Sequence, residues 1–258
     1  MVYWTRRTGA VILRRAFHGE IFRLRRLRPV RVTWLIAIGL VAVLGLVTAL
    51  RLAVDADQQS VVTASMSAAD TAPIVLGLGA LLVIASDFGG GSIGATLLIV
   101  PQRSVVIVAK VLASLAAAAV FAVAYAAVTA AIVIARDAVA TEGAGGFPVF
   151  EWAAGVLAGV GITVAYVMFG AGIALLTCGS ASAVLVYLSV LFAVPIGSVV
   201  LGVWMPSLGQ FLVEMSPVTL TVRLLQHPHD WEALGWFAVL DLLILGAGFV
   251  RAMRVRIR

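Results

Sequence analysis

From Trp152 to Val213 the chain runs without one charged side chain. A water-soluble fold has to cover its exterior with polar groups, so a run of that length leaves the lipid bilayer as the solvent it can sit in. Composition agrees: 62% of the 258 residues are hydrophobic and 12% charged, where soluble domains carry about 25% charged residues. Three further uncharged stretches, Val32 to Leu50, Thr71 to Ser86 and Val111 to Ala135, and a fourth, Ala233 to Val250, whose one charge is Asp241, approach the roughly 20 residues that a helix needs to cross about 30 Å of hydrocarbon.

The Trp152–Val213 run is too long for one crossing. Its small-polar cluster Thr177-Cys178-Gly179-Ser180-Ala181-Ser182 suits a tight turn and divides it into spans near Trp152 to Leu176 and Ala183 to Trp204. The expectation is an all-α, polytopic membrane protein with six transmembrane helices in a single domain. A basic segment occupies 1–31, the six-helix region 32–251 and a basic tail 252–258. No hydrophilic stretch leaves room for a separate catalytic or binding domain. The basic start is too long, and the apolar run after it too spanning, for a cleaved signal peptide, so the first helix is expected to stay.

Charge placement orients the bundle. Arg6, Arg7, Arg14, Arg15, Arg23, Arg25, Arg26, Arg28 and Arg31 precede the first span, and Arg251, Arg254, Arg256 and Arg258 follow the last. With Arg103 and Lys110 between spans two and three, most of the 18 basic residues fall on one side, which the positive-inside rule makes cytoplasmic. The other side holds Arg51, Arg136 and Arg223 but most of the acids: Asp55, Asp57, Asp70, Asp137, Glu142, Glu151, Glu214, Asp230 and Glu232. Both termini are therefore expected in the cytoplasm of a multi-pass cell-membrane protein. Trp34, Trp152, Trp204 and Trp231, near the proposed span ends, fit interfacial belts. The net charge of +6 reports this sidedness, and no nucleic-acid partner is expected.

Leu13, Phe17, Ile21 and Leu24 fall at helical spacing before the first span. The segment reads as an amphipathic helix on the cytoplasmic leaflet, with its apolar stripe in the acyl boundary. Phe17 belongs to that stripe, while Arg14, Arg15, Arg23, Arg25 and Arg26 meet anionic lipid headgroups. The alternative is a bare orientation signal. Gly155-x-x-x-Gly159 with Gly161, and Gly170 with Gly172, give the fourth span a small-residue face for close helix approach. Asp241 lies mid-way along the last span. A carboxylate there costs about 2.5 to 3.5 kcal/mol on insertion scales, so it is expected to face the interior as a functional group or as a structural hydrogen-bonding residue.

Several chemistries are excluded by their residues. Gly89 through Thr96 nearly repeats the phosphate-loop pattern G-x-x-x-x-G-K-[ST], but Ala95 stands where the lysine must be. Nucleotide binding by this chain is not expected. His227-Pro228-His229-Asp230 offers metal-ligand atoms without a second cluster to complete a shell, which reads as a solvated turn. Cys178 is the single cysteine, so no intrachain disulfide forms, and no hydrolase triad or H-E-x-x-H accompanies it.

Between spans two and three runs Asp87-Phe88-Gly89-Gly90-Gly91-Ser92-Ile93-Gly94, then Leu97, Pro101-Gln102-Arg103 and Lys110. An acid closing a span, a glycine turn, a short apolar helix, Pro-x-Arg and a lysine opening the next span resemble the first cytoplasmic loop of type 2 ABC exporter permeases. That family's loop reads Glu-aromatic-x-x-Gly-Thr-aliphatic, followed by leucines, Pro-x-Arg and Lys. Asp87, Phe88, Gly91, Ser92, Ile93, Pro101, Arg103 and Lys110 take those places here, with Asp for Glu, Ser for Thr, and Gly89 where a basic residue is common.

The resemblance implies a non-enzymatic permease subunit whose loop sits in a groove of a separate ABC ATPase subunit. ATP and Mg would be bound by that partner, with no cofactor or metal on this chain. Two copies, or one copy and a related permease, would pair with two ATPases. The stretch from Met205 to Arg223 would then form a re-entrant pair of short helices, where the alternative is an interfacial loop. The competing functional reading is an ion- or proton-coupled secondary transporter using Asp241. A third is a membrane subunit that scaffolds an assembly.

Overall fold

A computed structural model describes residues 9–51, 71–89, 102–139, 149–227 and 230–254. Among the described residues the backbone is helix and turn, with no strand. The amphipathic segment forms α1 (Gly9–Arg26) and leads through Leu27 into α2 (Arg28–Arg51). Next come α3 (Thr71–Gly89), α4 (Arg103–Val139) and α5 (Val149–Thr177). After the Cys178–Gly179 turn, α6 (Ser180–Leu188) passes through a π-helical turn, Ser189–Ala193, into α7 (Val194–Trp204). Two short helices, α8 (Pro206–Glu214) and α9 (Pro217–Gln226), precede α10 (Trp231–Arg254).

Five of these, counting α6 and α7 as one run beside α3, α4, α5 and α10, are long and apolar enough to cross a bilayer among the described residues. A sixth crossing is reached if α1 and α2, bent by 68° between Arg26 and Arg31, count as one. The third expected span starts earlier than its uncharged stretch, because α4 begins at Arg103. Arg103 and Lys110 are thus helical residues, not loop residues.

α5 is the hub. Two-thirds of its spanning window is buried, against 22% in α10 and 17% across α6–α7. Its glycines explain how neighbours reach it. A methyl at Gly170 would collide with the Gly77 carbonyl of α3. One at Gly248 on α10 would come within 2.6 Å of the Gly172 oxygen. Without a hydrophobic drive between helices in lipid, such backbone proximity is what dispersion rewards. A methyl at Gly159 would lie 2.7 Å from the Tyr125 ring, and one at Gly161 would lie 3.4 Å from Leu234. Leu81, Ile84, Tyr166, Phe169, Tyr187, Leu220 and Phe237 fill the main core around these crossings.

The Met205–Arg223 stretch folds as two short helices. Pro206 disfavours helical geometry at Met205 (φ −135°, ψ 80°), so α7 stops there. α8 then doubles back, and Gly209 lies so close to α7 that a Cβ would be 2.8 Å from the Ser198 oxygen. Ser216 caps α9 by accepting from the Thr219 amide at 3.2 Å, with Pro217 in the first turn. α9 buries Leu220 and Leu224 in the main core.

Candidate functional site

Glu20 and Arg23 are three residues apart on α1 and share a face. The same face carries Phe17, Ile21 and Leu24, which pack with Leu27 against Val83 of α3 and Ala113 of α4. The expectation for this stripe is therefore corrected: it packs on the protein's own helices, because α1 lies across the α3–α4 pair. Asp87 sits two residues before the end of α3, and Lys110 lies seven residues into α4.

These four side chains meet. The Lys110 ammonium donates to Glu20 Oε1 at 2.6 Å and to Asp87. Arg23 grips Asp87 with both terminal nitrogens, Nη1 to Oδ2 at 2.5 Å and Nη2 to Oδ1, and approaches Glu20 at 3.7 Å. Asp87 is 1% exposed, Lys110 3% and Glu20 8%, while Arg23 keeps an outer edge in contact with solvent. Two cations and two carboxylates cancel, which makes burial tolerable. The hydrogen bonds to Asp87 push the Arg23 guanidinium further up, against the opposing effect of its partial burial.

The placement of Arg23 and Lys110 differs from the sequence reading. Arg23 faces inward to a carboxylate instead of outward to headgroups. Lys110 is buried in α4. Arg14, Arg15, Arg25 and Arg26 remain exposed, and Arg26 stacks over the Phe22 ring at 4.4 Å. Phe88 packs against the main core. Arg103 reaches the Met253 carbonyl of α10 at 3.5 Å. Gly91, Ser92, Ile93 and Pro101 lie outside the described residues, as do Pro228 and His229.

The ion cluster brackets the segment from 90 to 101. Asp87 holds its incoming stem, Lys110 its outgoing one, and α1 is tied to both. Moving α1, α3 and α4 apart would separate buried opposite charges. Glu20 is the residue that sequence reasoning missed. It was visible as the one acid among the first 31 residues, placed on the apolar face of its helix, where a carboxylate needs a buried partner.

Asp241 forms a second polar position. It is 2% exposed in the interior of α10, and its Oδ1 has no hydrogen-bond partner. Tyr187 is within electrostatic reach, although its hydroxyl donates to the Ile74 carbonyl at 2.9 Å. Phe237, one turn earlier on α10, stacks edge-on against Tyr166 with centroids 5.5 Å apart. Among the described residues no group of three or more His, Cys, Asp or Glu side chains is arranged to hold a metal. No family model matches the chain, and no curated protein is similar to it at a significant level.

Proposed function

We propose that this chain is the membrane-spanning permease subunit of an ATP-driven ABC exporter, forming the pathway and coupling to a separate ATPase. One observation carries the reading: the buried cluster of Glu20, Arg23, Asp87 and Lys110 joins the interfacial helix to both stems of the 90–101 segment. Asp87 and Lys110 are the charged ends of the motif that resembles the coupling loop of type 2 ABC permeases. In this reading, closure of the nucleotide-loaded ATPase pair pushes on that segment. The cluster carries the push to α1, α3 and α4, and the helices exchange inward- and outward-facing arrangements. The transported ligand matters only through its different affinity for the two.

The test is purification from native membranes with mild detergent. An ABC ATPase should accompany the wild-type chain in stoichiometric amount, be lost with Arg103→Glu, and hydrolyse ATP faster when the transported compound is added. Absence of any ATPase would overturn the proposal.

A second reading is favoured by Asp241, whose buried Oδ1 has no partner. In an ion- or proton-coupled carrier such a carboxylate is the titrating site. Transport into nucleotide-free vesicles that runs on a proton gradient and fails in Asp241→Asn would decide for it.

A further inference from the structure

At the bend between α1 and α2, three helices leave a groove of about 490 Å³. Ile21 of α1, Leu35 and Ile38 of α2, and Ala117 and Val120 of α4 line it. Each helix contributes same-face positions, and the alanines on α4 keep the groove open. Arg25 lies one helical turn from Ile21, and Arg31 one turn before Leu35, so two guanidiniums flank one end of an otherwise apolar channel. Both are exposed. Neither has a salt-bridge partner among the described residues, in contrast to Arg23, which is committed to Asp87.

We infer that this groove binds one anionic phospholipid, with an acyl chain along Leu35, Ile38, Ala117 and Val120 and the phosphate between Arg25 and Arg31. Charge complementarity selects this occupant. An apolar peptide or second copy would leave two arginines facing hydrocarbon, and a free anion would leave the apolar walls unused. The volume falls within the about 300–1,000 Å³ typical of ligand pockets. The contrast lies elsewhere on the molecule: along α6–α7, Leu185, Phe192, Ile196 and Val203 are exposed on a run with no arginine. That surface suits ordinary, exchanging lipid. The inference rests on the chain's place in a bilayer and holds whichever energy source drives it, so it fails or stands separately from the ATPase test. A lipid seated here would touch α1 at Ile21 and Leu24, beside its ion pairs, and hold the bend in its observed angle.

The experiment reconstitutes the full chain in nanodiscs of phosphatidylglycerol and phosphatidylcholine and counts retained lipids by native mass spectrometry after transfer to detergent. The wild type should keep one phosphatidylglycerol per chain. Ala117→Trp, which fills the groove, should lose it. The double variant Arg25→Gln/Arg31→Gln, altered only at exposed positions, should bind it roughly thirtyfold more weakly, at about 1 kcal/mol per arginine. Gly197→Trp, placed where nothing lies within 4 Å, should behave as wild type. Equal retention of phosphatidylcholine, undiminished retention in Ala117→Trp, or displacement by glycerol phosphate lacking acyl chains would each overturn the inference.

Discussion

Lys110 shows how narrow the choices of one buried ion are. It is the chain's single lysine, and its two carboxylate partners come from residues 90 and 23 positions away. Removing one member of a buried pair leaves the other uncompensated, at about 3–5 kcal/mol. Lys110→Met should therefore lower unfolding stability by about that much, and adding Glu20→Gln should restore most of the loss, as a double-mutant cycle in detergent would reveal. Asp241 presents the opposite case. Its Oδ1 is already unpartnered, so Asp241→Leu, which removes the unsatisfied polar atoms at similar shape, should raise stability by about 1–3 kcal/mol in a thermal melt; a fall of that size would mean the carboxylate has a stabilising role. Outside the spans, Asp230 accepts the Ala233 amide at 3.0 Å and pairs with Arg223 at 2.9 Å, and these contacts hold its carboxyl below the usual range. Its contribution is complete above the unfolded-state pKa of about 4 and is lost as pH falls through the lower folded-state value. Asp230→Ala should reduce the melting temperature at pH 7 and flatten its acid limb; an unchanged acid limb would contradict this.

At the scale of elements, helices here are specified by what they lack. Glycine on α3, α5 and α10 permits backbone contact, and Gly170→Val should separate α5 from α3 because its first side-chain atom meets a carbonyl that cannot move aside. The expected loss is about 1–3 kcal/mol or more, read against Gly246→Ala, where nothing lies within 4 Å and a gain approaching about 1 kcal/mol is expected. Similar losses from both variants would refute the assignment. The π-helical turn has an equally local cause. Pro195 removes an amide and would strike the carbonyl one turn back, and the turn just before it widens so that the Val194 amide bonds Ser189, five residues earlier. The Cys178–Gly179 turn also places Cys178 at φ 52°, with its thiol donating to the Leu175 carbonyl at 3.1 Å. Burial pushes that thiol up, partly offset by Arg251 beside it.

Across the whole molecule, charge is sorted by end. The Arg103–Met253 hydrogen bond, the Arg251 approach to Cys178 and the Glu20–Arg23–Asp87–Lys110 cluster draw the start of α4, the end of α3, the turn after α5 and the end of α10 together. Trp204 and Trp231, 83% and 73% exposed, close α7 and open α10 at the acid-bearing side of the sequence. Cysteines introduced at Gln226 and at Arg254 in a Cys178→Ala background should label from opposite faces of intact cells, Gln226 without permeabilisation and Arg254 only after it. Labelling of both from outside would contradict the arrangement.

The sequence by itself determined the helical class, the apolar runs long enough to cross a bilayer, where most helices run, and the turn at Cys178–Gly179, since these depend on composition and local breakers. It also carried the motif ends Asp87 and Lys110 and the small-residue face of α5. Which faces pair was decided only in three dimensions. In lipid, the side of a helix that meets acyl chains is as apolar as the side that meets another helix, so periodicity distinguishes the two poorly. That is why the Phe17–Leu24 stripe reads equally well as a membrane face or a packing face, and why α6–α7 gives no sign in sequence of being the least buried run. Ion partners are likewise a tertiary matter. Arg23 looks like its neighbours Arg25 and Arg26 in the chain, and only the crossing of α1 over α3 and α4 brings it to a carboxylate 64 residues away, while the other two are left facing outward.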